Sequence, residues 1–322
     1  MTVTRRVLLK LGSLGTLATL LPAFGRRQDT RDVRGASEAR ESPLDARYLR
    51  HGLNALCSAH ATDPFFAGHA GGAVVSAYYL CREETLEVGA AEVIKGALDR
   101  HYPLAADPFP KEEPVAGGVE ALLTALEPGV DRLCRDGHNV IFLSLALRAL
   151  HDQPEMATPS RLAALRRTVE ALEPKRHGKG EIEVPESTAD FAEFVLKEFL
   201  ACTEGGPGQG YAGHLLTHGR ALLDLRLLGH EAFAKKCLNA FQLAVKIARP
   251  TAAGADWTAK RRKVEFLRPD RIDYWKRRAA AGSMELGHLF KYPYGYFGVR
   301  RHSTNEALKQ VCTDQSFRLF TS

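Results

Sequence analysis

Four histidines in this chain share one local setting. His69, His138, His214 and His288 each follow a glycine: Gly68, Gly137, Gly213 and Gly287. By subtraction they lie 69, 76 and 74 residues apart. With 28 Gly and 12 His in 322 residues, about one Gly-His pair is expected by chance, and the chain has five. The fifth, Gly229-His230, falls between two helical patterns and reads as a helix-ending glycine followed by the next start. The other four each open an apolar segment with helical spacing. Neutral imidazole is the commonest transition-metal ligand. Four nitrogen ligands suit iron, nickel, copper or zinc. A structural zinc site would normally use cysteine at local spacing. Dispersed, cysteine-free ligands therefore point to a functional metal. A helix start carries partial positive charge and disfavours a cation, so a carboxylate or its equivalent is expected beside the ion.

Two more residues belong to this set. His218 is four residues after His214 and on the same helix face. Such a pair can chelate one metal, but no Glu follows His214, so the metalloprotease signature is absent. By register His214 is the ligand, and His218 is a substitute or a supporting catalytic group. Lys291 follows His288 by three residues on the same face. A lysine beside a metal requires that its charge be lost. The bland alternative for each histidine alone is a hydrogen-bonded core residue.

The elements that must position these groups are helices. Apolar periodicity predicts them near 45–60, 66–82, 85–101, 115–134, 138–151, 158–173, 187–203, 213–228 and 230–248. Ala, Leu, Glu, Lys and Arg fill them, as helix propensity favours, and strand-like alternation is nearly missing. The run Gly205 to Gly210 is a loop, because no strand precedes it and no Lys-Ser/Thr follows. The expected fold is all-α, an array or closed ring of antiparallel helix pairs built from about four repeats of ~70 residues. In a ring, equivalent helix starts face a common centre.

Composition bounds the rest. At 45% hydrophobic the chain can bury a sizeable core. Residues 1–25 read as a twin-arginine signal, with Arg5-Arg6, a short apolar run and a small-x-small end at Ala23 and Gly25. That run is too short and Gly-rich to span a membrane, so no stable span is expected after cleavage. The export machinery is an expected partner, and the location is periplasmic or extracellular. Residues 26–44 read as a disordered linker, and 45–322 as a single helical domain. Without Arg5, Arg6 and Lys10 the formal charge falls from +6 to +3, too weak a bias to argue for nucleic acid. Residues 250–282 interleave basic residues with Trp257, Tyr274 and Trp275; they read as a solvated insertion whose aromatics pin it to the core. The six cysteines lack a Cys-x-x-Cys and read as small buried hydrophobes, with no disulfide assigned.

Four motifs carry a family resemblance. They are Gly68-His69-Ala70-Gly71-Gly72-Ala73, His138-Asn139-Val140-Ile141 running on to Arg148-Ala149-Leu150, His214-Leu215-Leu216-Thr217-His218, and His288-Leu289-Phe290-Lys291. Over roughly residues 45 to 300 the chain resembles the questin oxidase-like family. The resemblance implies a helical oxygenase holding a non-haem iron on four histidines, with a carboxylated lysine at Lys291 completing the set. Zinc is the lesser candidate. It also implies dioxygen and a polycyclic aromatic small molecule as substrates. The chain departs from the pattern at Gly68, where the family has Asn, and at Pro293, which is expected to disturb the turn after Lys291. The aromatics Tyr292, Tyr294, Tyr296 and Phe297 are candidates to line a flat-substrate pocket. Two other functions compete: an α/α-ring hydrolase or lyase using carboxylates such as Asp190 and Glu193, and a non-enzymatic helical-repeat binding protein.

Overall fold

The computed structural model describes residues 42–176, 178–203, 211–254, 266–281 and 287–320. The expected signal at 1–25, the linker up to 41, the glycine-rich loop at 205–210 and residues 255–265 of the basic segment lie outside the described residues. The linker ends earlier than its composition suggests. Leu44 is buried, and the Leu44 amide donates to Ser42 Oγ at 3.2 Å, so packing begins before the first helix.

The described residues are all-α. The helices are α1 Ala46–Ser58, α2 Phe66–Glu83, α3 Ala90–His101, α4 Gly118–Leu126, α5 His138–Asp152 and α6 Pro159–Glu170. They continue as α7 Thr188–Thr203, α8 Tyr211–Leu227, α9 Glu231–Gly254, α10 Ile272–Ala280, α11 His288–His302 and α12 Glu306–Asp314. Among the described residues the only sheet joins β1 Leu133–Cys134 to β2 Pro174–Arg176, antiparallel.

Four helices form the inside. α2 packs on α5, α5 on α8, α8 on α11, and α11 back on α2. Their sequences explain the placement. From His138 to Leu147 every residue of α5 is buried, and a helix apolar all round must be an inner one. The outer helices carry one apolar stripe each. α1 covers α2, α7 and α9 cover α8, and α6 backs α1. No helix among the described residues is long and apolar enough to cross a membrane.

Several boundaries differ from expectation. The helix expected at 115–134 stops at Leu126, because Glu127–Gly129 with Pro128 inside tightens into a 3₁₀ turn. α3 starts only at Ala90, behind Gly89 at φ 85°. α11 runs straight through Pro293. The proline forgoes one intrahelical bond to the Leu289 carbonyl. Burial of Phe290, Tyr292, Tyr294 and Tyr296 against α2, α7 and α8 outweighs that loss. Tyr274 and Trp275 are buried, and Trp275 Nε1 donates to the Pro269 carbonyl at 2.9 Å. The described aromatics of the basic segment thus pin it to the core.

Candidate metal centre

The four inner helices bring their N-terminal turns together, and with them the four histidines. The His69 and His138 rings are 4.4 Å apart between centroids, His69 and His288 5.2 Å, His138 and His214 5.0 Å, and His214 and His288 5.0 Å. Potential ligand nitrogens of His69, His138 and His288 all lie within 4.8 Å of one another, the scale of one coordination sphere. The ring of His214 adjoins two of these three.

The glycines of the four motifs have a packing reason. A Cβ on Gly68 would meet the Phe142 ring at 2.4 Å, on Gly137 the His218 Nδ1 at 2.4 Å, on Gly213 the Tyr292 ring at 2.3 Å, and on Gly287 the Ala73 Cβ at 2.4 Å. Each collision partner stands four residues after the histidine of the next motif, and the fourth motif meets the first. Glycine lets each helix start close on its neighbour and sets the four rings side by side.

Backbone carbonyls orient two of the rings. His69 Nδ1 donates to the Phe65 carbonyl at 2.6 Å, and His138 Nδ1 to that of Arg135. A carbonyl can only accept, so each Nδ1 carries the proton and each Nε2 keeps its lone pair. The Nε2 atoms of His69, His138 and His288 are buried with no hydrogen-bond partner among the described residues. The Arg135 carbonyl is delivered by a tight turn. Arg135, Asp136 and Gly137 are all left-handed, at φ 45°, 62° and 96°. Two consecutive non-glycine residues there cost on the order of 1 kcal/mol or more each. Such strain survives only where the surroundings over-determine it.

The electrostatics favour neutral ligands. Burial, with the nearby Lys291, lowers the His69 imidazole to about 2. The same two causes push His138 and His288 well below the ordinary range. Lys291 is 2% exposed, and burial drives its amine far below the usual lysine range. No hydrogen bond or ion pair joins it to any described residue; its Nζ lies 5.7 Å over the Phe142 ring. Lys291 also lines a cavity of about 10 Å³, with Ser76, Ser144, Thr217, Asp224 and Tyr294 on the walls. That is about the room one water needs.

The other candidates fall elsewhere. His218 is fully buried, but its ring meets Phe241 edge-on at 5.4 Å and backs onto Gly137, outside the four-ring cluster. Burial lowers it to about 3. Tyr294 donates to Asp224 at 2.6 Å, inside a buried network where Arg220 pairs with Asp224 at 2.8 Å. Tyr296 donates to Thr313. These aromatics are core rather than the walls of an open pocket, because their hydroxyls find partners inside. Asp190 accepts from Ser187 Oγ at 2.7 Å at the entry of α7, and Glu193 lies 3.8 Å from Lys197 and accepts from Thr304 Oγ1 at 3.5 Å, so both have structural partners. The six cysteines are free thiols, four of them buried.

No family model, curated protein or solved structure matches the chain. Sequence reasoning found the four histidines and Lys291. It missed the carbonyls of Phe65 and Arg135, which have no sequence signature. The register of Ala73, Phe142, His218 and Tyr292 was open to view, since stacking the four motifs places all four in one column.

Proposed function

We propose that this protein is a metal-dependent oxidoreductase, an oxygenase of the questin oxidase-like type acting on an aromatic small molecule. The observation that carries the reading is the convergence of buried, neutral imidazoles whose Nε2 atoms have no other partner. An unsatisfied buried polar atom costs about 1–3 kcal/mol, and three in one place call for a shared partner. A transition-metal cation supplies it. The residues that would hold it are His69, His138, His214 and His288, with Lys291 beside them. Non-haem iron is the ion favoured by an all-nitrogen set and by the resemblance, and when bound it would activate dioxygen.

The chain's own groups do the remaining work. The Phe65 and Arg135 carbonyls hold two ligand rings in the metal-ready tautomer. Phe142 and Leu145 give Lys291 apolar neighbours that disfavour its charged form. Lys291, neutral in this setting, can carry a carboxyl group from carbon dioxide; the resulting anion would balance the metal charge that four neutral ligands leave unmet. The recurring glycine contacts support four repeats of about 70 residues. His218 stands in the supporting column rather than among the ligands.

The test is elemental analysis of protein isolated in bicarbonate, beside His138→Ala. About one iron per chain, lost in the variant, is expected. Protein that binds no metal would end this reading. Export by the twin-arginine route is part of the proposal: replacing Arg5 and Arg6 by lysine should hold the precursor in the cytoplasm, as fractionation would read.

A further inference from the structure

A flat substrate needs an aromatic surface it can reach, and Phe142, Tyr292, Tyr294 and Tyr296 are all buried. Phe66 is 57% exposed. Its ring stands 5.3 Å from that of Phe65, edge to face, and the Phe65 ring in turn lies 4.4 Å from His69 and 5.0 Å from His138. The Arg135 guanidinium carbon is 5.3 Å over the same Phe65 ring. We propose that Phe66 and Arg135 are the substrate-recognition residues of the centre, and that the substrate is a fused aromatic carrying an anionic group. This rests on the metal reading above and names the substrate class of the same site.

A single exposed phenylalanine is ordinary on a protein surface. The company of Phe66 sets it apart. Through Phe65 it is one ring away from two candidate ligands, and a cation covers that same ring. The pair is also built into the fold. The Asp63 carboxylate accepts from the amides of both Phe65 and Phe66 at 2.9 Å, which fixes the turn that starts α2. Arg135 is tied to the centre by its backbone, since its carbonyl accepts from His138 Nδ1. Its side chain pairs with Glu173 at 3.2 Å, and Glu173 is 80% exposed. An ion pair that open contributes little, so an arriving carboxylate or phenolate can take the guanidinium in a stronger, partly desolvated pair. Phe66 and the guanidinium are separated by no more than those two contacts through Phe65, the reach of a fused aromatic with one substituent. His69, which carries the Phe65 contact, also adjoins His288, the one of the four that is only partly buried. The cluster therefore comes nearest to solvent through a neighbour of this pair.

The probes are 2-naphthoate and its neutral counterpart 2-naphthamide, titrated by fluorescence into the whole chain without metal. Wild type should bind the acid about tenfold more tightly than the amide. Asn tolerates the left-handed φ of 45° at position 135, so Arg135→Asn keeps the turn, and it should bind both probes alike. Phe66→Ala should weaken both by about two- to tenfold and leave their ratio unchanged. Cobalt(II) in the wild-type centre should speed the proton relaxation of bound naphthoate, as a ligand close to the metal requires. Metal-free melting temperatures serve as the control for folding. Should Arg135→Asn fail to fold, the wild-type preference and Phe66→Ala still decide the matter. The proposal is overturned if wild type binds neither probe or binds both equally. It is also overturned if Arg135→Asn keeps the preference, if Phe66→Ala keeps the affinities, or if the relaxation of naphthoate ignores the cobalt. Failure of the metal reading is separate: it appears as wild type that binds no cobalt, whatever the probes do.

Discussion

Lys291 is the residue at which folding and function pull apart. A buried amine without a hydrogen-bond partner among the described residues destabilises the fold, and the unfolded chain would hold it protonated at neutral pH. Replacing it with the similarly shaped Met removes that cost. Lys291→Met should raise the stability of the metal-free protein by about 1–3 kcal/mol in urea unfolding, while metal retention falls. A loss of stability would mean that the amine has a structural partner. The sequence exposed the oddity, since a lysine one turn after a candidate ligand sits among apolar neighbours. What it could not expose was the depth of burial, which depends on Gly72, Phe142 and Leu145 arriving from other helices.

At the scale of elements, each helix start meets the next with no room for a Cβ, which would lie 2.3–2.4 Å from its neighbour. Gly68→Ala should destabilise by about 1–3 kcal/mol through overpacking against Phe142, although Ala is the better helix former. Phe142→Leu in the same chain should recover part of the loss, because the two changes share one contact. A double variant no more stable than the sum of its parts would show that the pair is not coupled. The inner position of α5 was legible in the sequence, because it is apolar on nearly every side, whereas α8 and α11 carry Arg220, Asp224 and Lys291 and were not. Helix ends were less legible. Pro293 was expected to disturb α11, and only tertiary packing shows why the helix continues. The late start of α3 depends on Gly89 turning left-handed, a conformation open to every glycine.

The whole molecule should be acid-sensitive in its metal-free form, and the sign follows from the imidazoles. His69 and His218 titrate at about 2 and about 3 when folded, and His138 and His288 are also lowered. In the unfolded chain each returns to about 6.5. Below that value the unfolded chain binds protons that the folded one refuses, so stability is present above about pH 6.5 and drains away as the pH falls towards 3. The unfolding free energy should decline through this window at up to ~1.4 kcal/mol per pH unit for each group, and the urea midpoint with it. A flat midpoint from pH 7 to pH 4 would contradict the burial of these rings. A metal bound only to the folded state would raise stability across this window by an offset, without removing the decline.

The contact between Gly287 and Ala73 has a temporal meaning. It joins the last of the four motifs to the first, across most of the chain, and closing so long a loop is a late and slow event in folding. The centre therefore does not exist on a nascent chain. The four-ring cluster is complete only when α11 reaches α2. A chain truncated before His288 would keep three of the histidines but lose the fourth and the return of α11 to α2.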